Sequence, residues 1–143
     1  MNVTQLSIFL ENRSGRLAEV TEILGKNGIN IRALSLADTS DFGILRVIVN
    51  DPEKACAILR RDGFTVSETE VMAIEVEDRP GGLAGVLKIL SGENVNVEYM
   101  YAFLEKFTEN ALIIFRIEEI ERTAAVLRKH GIRILSGKDL YNL

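Results

Sequence analysis

At 143 residues, 47% of them apolar and 27% charged, the chain has the balance of a globular protein with room for one ordinary domain or two small ones. A single cysteine, Cys56, and a single histidine, His130, exclude an intrachain disulfide and a tetrahedral Cys/His zinc site, and neither metal nor cofactor is expected. A net charge of −4 with scattered Lys and Arg speaks against a nucleic-acid partner, and no apolar run approaches the roughly 20 residues that span a bilayer, so no membrane partner is expected.

The start, Met1-Asn2-Val3-Thr4-Gln5, lacks the charged and apolar parts of a secretory leader, and a cytoplasmic location is expected. Val3 to Leu10 alternates Leu6, Ile8 and Leu10 and is predicted as a strand. The polar turn Glu11-Asn12-Arg13-Ser14-Gly15-Arg16-Leu17 follows. Leu17, Val20, Ile23 and Leu24 then recur at helical spacing until Gly25 to Gly28 stop the helix. Ile29 to Ala37 is the second strand, Asp38 to Phe42 a turn, and Gly43 to Val49 a third strand that is apolar on both faces. Asp51-Pro52 starts a helix, because Asp caps free amides and Pro suits the first helical position. Ala55, Ile58 and Leu59 give it a buried side; Gly63 ends it, and Phe64 to Glu70 is the fourth strand.

The second half repeats this order. Met72 to Val76 is a strand, the turn Glu77-Asp78-Arg79-Pro80-Gly81-Gly82-Leu83 puts Pro80 at the helix start, and Leu83, Val86, Leu87 and Leu90 form a helix stopped by Gly92. Val95 to Phe103 and Ala111 to Ile117 are strands joined through the turn Leu104 to Asn110. A helix carrying Ala124, Ala125 and Leu127 ends at Gly131, and Ile132 to Leu135 is the last strand. Leu6 to Ile31 laid on Met72 to Val97, 66 positions on, is identical at ten of 26 positions, Glu11, Arg13, Gly15, Leu17 and Asn30 among them. Beyond the second strand the offset is 68, and Gly63 falls on Gly131. The domains are therefore 1–70 and 71–143, each a βαββαβ unit with a four-stranded antiparallel sheet and two helices on one face. A unit of this size is marginal alone. The apolar faces of Ile44 to Val49 and Leu112 to Phe115 that helices cannot cover call for a partner, and a homodimer or larger assembly is expected.

The first turn followed by Gly28-Ile29-Asn30-Ile31, and the second followed by Asn94-Val95-Asn96-Val97, resemble the signature of ACT domains, the amino-acid-sensing modules of enzymes such as phosphoglycerate dehydrogenase. The resemblance covers the whole chain as a tandem pair and implies an α+β, ferredoxin-like fold with side-by-side sheets. It implies an effector, commonly an amino acid, held between ACT units near the turn. Carried onto this chain, the implied ligand positions centre on Asn12 and Asn30 in the first copy and on Asp78 and Asn96 in the second. Stand-alone pairs of this kind resemble regulatory proteins without a catalytic domain.

Elementary chemistry agrees. Free amides opening a helix at Ser14 to Leu17 favour a carboxylate. Asn12 and Asn30 offer donors and acceptors for both ends of a zwitterion, and Gly15 and Gly81 allow close approach. The candidate ligand residues are thus Asn12, Arg13, Ser14, Gly15, Arg16, Leu17, Asn30 and Ile31, with Asp78, Arg79, Pro80, Gly81, Leu83, Asn96 and Val97 in the second copy. Arg13 and Arg79, flanking their turns, also read as solvated or ion-paired side chains, and Asn30 and Asn96 as turn residues. Asp78 cannot donate to a carboxylate and repels it, so the two sites are expected to differ, with the first the better carboxylate site. Cys56 reads as a small buried hydrophobe and His130 as a structural residue at a helix end.

No nucleophile, base or carboxylate pair stands at a convincing spacing, so no enzyme is expected. RNA-recognition modules of this topology carry aromatic residues on central strands where Gly43 to Val49 has none. The reading is a non-catalytic protein that binds an amino acid or related metabolite at ACT–ACT interfaces. The alternative is an interaction subunit that controls a biosynthetic enzyme in trans without a ligand of its own.

Overall fold

The computed structural model describes residues 2–38, 41–104 and 109–142. The turns expected at Asp38 to Phe42 and Leu104 to Asn110 lie partly outside these. The chain divides into two compact units, one of Thr4–Thr69 and one of Glu70–Tyr141 with the first residues of the chain.

In the first unit the elements are β1 (Val3–Glu11), α1 (Arg16–Lys26), β2 (Ile31–Asp38), β3 (Phe42–Val49), α2 (Pro52–Arg61) and β4 (Thr65–Val76), with strand order β2-β3-β1-β4. β3 pairs antiparallel with both neighbours, Leu45 facing Ile8 on one side and Leu36 on the other. The period-two pattern turns Leu6, Ile8, Leu10, Leu45, Val47 and Val49 toward Val20 and Leu24 of α1 and Ala55 and Leu59 of α2. Burying each of the larger aliphatic side chains contributes about 1.5–3 kcal/mol. α2 starts as its sequence dictates: Asp51 Oδ1 accepts from the Lys54 amide at 3.2 Å and Pro52 is the first helical residue. α1 has no side-chain cap; Gly15 stands before it at φ 88°, a conformation that glycine adopts without penalty.

The second unit runs through the end of β4, then α3 (Gly82–Gly92), β5 (Tyr99–Ala102), β6 (Ala111–Arg116), α4 (Ile120–Lys129), β7 (Ile134–Leu135) and α5 (Gly137–Tyr141). Its order is β5-β6-β4-β7, antiparallel throughout. Met72, Ile74, Val76, Phe115 and Ile117 form its core with Val86, Leu90 and Leu127. Each unit is thus βαββαβ with its helices on one face, as expected.

Several local expectations are corrected. β4 is one strand of 12 residues where the sequence suggested two, because nothing between Thr65 and Val76 is Gly or Pro to interrupt it. The strand expected at Val95 to Phe103 contracts to Tyr99–Ala102. Ahead of it, Val95 and Val97 pack against the core from irregular backbone. Gly92 remains helical and Asn94, at φ 56°, takes the left-handed position that Gly28 holds in the first copy. Pro80 sits in the turn two residues before the helix. α5 was not foreseen; Ser136 and Asp139 cap it reciprocally, each amide donating to the other side chain at 3.2 Å, and Leu140 is fully buried.

Of the side chains expected on the helix-free faces, Ile48, Leu112 and Ile114 are buried. Exposure concentrates instead on Phe9, Leu34, Leu36 and Phe42 in the first unit and Met100 and Leu104 in the second. Among the described residues no helix is long and apolar enough to cross a membrane, and no group of three or more His, Cys, Asp or Glu is placed to hold a metal.

Candidate functional site

The first turn borders an open cleft of about 430 Å³ walled by Asn12, Arg13, Ser14 and Gly15, with Leu17 and Leu36 as apolar sides. Its position is fixed by backbone: the Asn12 amide donates to the Asp41 carbonyl at 3.0 Å, tying the turn to the start of β3. Asn12 and Ser14 are exposed there, and Leu17 and Leu36 are 40% and 51% exposed. Arg13 Nε donates to Glu11 at 3.1 Å on the open surface. Arg16 turns away from this cleft. Its guanidinium lies 4.5 Å from the Phe64 ring centre and bonds Glu19 at 2.9 Å, and its amide is turned to the Arg13 carbonyl at 3.4 Å.

Asn30 is elsewhere. Its amide donates to Asn50 Oδ1 at 2.9 Å and its carbonyl accepts from the Asn50 amide at 3.2 Å, while Ile31 packs against the core. β2 starts beside the end of β3 (Ile31 opposite Val49), whereas the first turn adjoins the start of β3 (Glu11 opposite Phe42). At about 3.4 Å per strand residue the eight residues of β2 put Asn12 and Asn30 on the order of 25 Å apart. One unit therefore cannot present both to one small ligand. Sequence proximity misled here because α1 carries the chain back along the length of the sheet.

The second copy has the same separation. Asp78, Arg79, Pro80 and Gly81 are exposed at the end of β4, with Arg79 ion-paired to Glu77. Asn96 borders a small cleft of about 150 Å³ with Asn94, Glu98 and Glu118 near the far end of β6, and Leu83 and Val97 pack on the core. The second turn opens on a different side from the first: it borders a cleft of about 390 Å³ shared with Glu75, Ile132 and Arg133 rather than with the edge strand. Sequence reasoning missed Asn50, Glu75 and Arg133. For Asn50 the signal was present in Asn50-Asp51-Pro52, read only as a helix start; Glu75 and Arg133 lie in strand-like runs whose pairing the sequence does not reveal.

His130 caps α4 as expected, its Nδ1 at 2.9 Å from the Val126 carbonyl, which makes Nδ1 the donor. Cys56 is buried, and that burial pushes its thiol pKa up, as befits an inert core thiol.

The whole chain, residues 1–143, matches the family described as the ACT domain pair. It is 46% identical to protein BT0572 from Bacteroides thetaiotaomicron, covering 100% of this chain and 98% of that one with a TM-score of 0.93. The regulatory subunits of aspartate kinase from Thermus thermophilus and Thermus flavus share the fold at 16% identity, each over 90% of both chains, with TM-scores of 0.66 and 0.64. No curated protein sequence matches. With two βαββαβ units, a repeated Glu-x-Arg-x-Gly turn opening the first helix of each, and a family match from end to end, this chain belongs to the ACT domain pair family.

Proposed function

We propose that the chain is a non-catalytic, cytoplasmic regulatory protein whose two ACT domains, 1–70 and 71–143, sense a small amino acid or related metabolite at the first turn. The observation that carries this reading is the cleft beside Asn12 to Gly15. Its volume lies within the range of small-molecule sites, and it combines the start of α1 with two exposed leucines. Asn12 and Ser14 receive the carboxylate there, Arg13 and Gly15 shape the rim, Leu17 meets the side chain, and Arg16 steadies the helix start against Phe64.

Asn30 and Ile31 join this site from a second copy. β2 is an edge strand with Leu34 and Leu36 exposed, and edge strands are disposed to pair. Two β2 strands paired antiparallel bring the Asn30 end of one copy to the Asn12 end of the other, which resolves the separation of about 25 Å inferred above from the strand rise. The homodimer thus completes the pocket. Asp78, Arg79, Pro80, Gly81 and Leu83, with Asn96 and Val97, form the weaker counterpart, because Asp78 repels a carboxylate.

A thermal-shift screen against the common amino acids tests this. Ligand at 100 times its Kd adds about 2.7 kcal/mol, a rise in Tm of several degrees, and Asn12→Ala should abolish the rise. If no amino acid raises Tm in an Asn12-dependent way, the remaining reading is an interaction subunit that acts on a biosynthetic enzyme without its own ligand.

A further inference from the structure

The two copies of the repeat differ at one place in a way that the repeat itself makes measurable. In the first unit Arg16 and Glu19 of α1 bond each other at 2.9 Å beside Phe64, over which the guanidinium lies, and Arg16 Nε is buried. The positions that correspond in the second unit are Gly82, Gly85 and Ile132. The backbone bonding is kept at two of the three: Glu19 and Gly85 amides both donate to the glycine four residues back at 3.0 Å, and Phe64 and Ile132 amides both donate to the helix residue five back, at 2.9 and 3.0 Å. The turn is tighter at Gly82, whose amide donates to the Arg79 carbonyl at 2.9 Å against 3.4 Å from Arg16 to Arg13. The fold is kept while the side chains that fill this space in the first unit are gone. What remains is the cleft of about 390 Å³.

Its walls have changed with its floor. Phe9, Phe42 and Thr65 of the first unit correspond to Glu75, Asn110 and Arg133, all on this cleft. Asn110 Nδ2 donates to Glu75 at 3.1 Å, and Arg133 stands 3.7 Å from the same carboxylate, whose side chain is only 13% exposed. Arg79 and Glu77 add a charge of each sign at the rim. An ordinary unfilled gap is apolar; this one has acquired both signs of charge around an apolar floor of Val86, Ile89 and Ile132.

We propose that this cleft, within the second unit, is a binding site for a small zwitterion with an apolar side chain, of the size of a free amino acid. The half-buried Glu75 receives the ammonium and Arg79 the carboxylate, Arg133 holds Glu75 in place, and the side chain lies on Val86 and Ile132 in the space that Arg16 and Phe64 occupy in the first unit. The site shares Arg79 with the weaker counterpart of the first turn but uses neither Asp78 nor Asn96, and it is independent of the first-turn site and of dimer formation.

The test is amide NMR on the full chain carrying Asn12→Ala, which removes the first-turn site, titrated with each common amino acid at millimolar concentration. At least one should move the amides of Gly82, Gly85, Gly131 and Ile132 together. Gly85 has open space where a side chain would go, so Gly85→Leu refills the cleft and should weaken that titration by more than about tenfold, as should Glu75→Gln, which removes the charge that meets the ammonium. If Gly85→Leu does not fold, Glu75→Gln decides. The proposal is overturned if no amino acid moves these amides, or if the folded variants titrate like their parent. Failure here leaves the Asn12-dependent Tm rise untouched, and failure of that rise leaves this titration untouched.

Discussion

Two glycines three residues apart on α3 have opposite reasons for being glycine. A Cβ on Gly82 would stand 1.9 Å from the Glu77 carbonyl oxygen, so the turn closes only because that atom is missing. Gly85 has nothing within 4 Å of the same position. Gly82→Ala should therefore destabilise the chain by roughly 1–3 kcal/mol through backbone displacement, and Gly85→Ala should stabilise it by about 1 kcal/mol through helix propensity. Urea unfolding of both variants checks the pair; equal effects of one sign would refute the assignment. The sequence placed Gly82 in the repeated turn and left Gly85 unremarked in the helix, and the distinction lies in a carbonyl five residues upstream of Gly82 that no local pattern reveals. Asn94 is the converse: a left-handed residue that the eye passes over because the glycine signal sits two positions earlier, at Gly92.

At the scale of elements, α5 illustrates what a short polar signal can hold. Asp139 accepts the Ser136 amide on its carboxylate, and that backbone bond first, with the Ser136 side chain second, holds its carboxyl below the usual pKa, while its own amide is capped by the Ser136 hydroxyl oxygen. A carboxyl depressed in the folded state contributes stability above its ordinary pKa and loses it as pH falls through the folded value. Tm measured between about pH 5 and pH 3 should fall less steeply in Asp139→Asn than in the parent, and parallel profiles would remove the cap from the account. Helices with long apolar stripes and Gly stops were legible because Val20, Leu24, Val86 and Leu90 keep the helical period. β5 was overextended because Val95 and Val97 alternate like a strand yet pack inward without a ladder partner. β4 was cut in two because a repeat boundary suggests a break that the backbone does not make.

For the whole molecule, duplication was the most legible feature, and it delivered both units and their topology from ten shared positions, matching apolar periods and the spacing of the glycine stops. What it concealed was distance, since Asn12 and Asn30 are neighbours in a motif and stand at opposite ends of a sheet. An assembly through β2 answers that distance, and its prediction is direct: Leu36→Glu on the exposed edge should shift sedimentation from dimer toward monomer and lower amino-acid affinity with it. A dimer unchanged by Leu36→Glu would place the interface elsewhere. The open cleft on α3 has a different kind of consequence. The first unit carries its own filling in Arg16 and Phe64, whereas the second leaves an open cleft; with the ligand proposed for it, supply from solution would set the fraction of chains that unfold and meet a protease. The protein's lifetime in the cell would then follow metabolite level, giving a slow readout by abundance beside any fast one by shape.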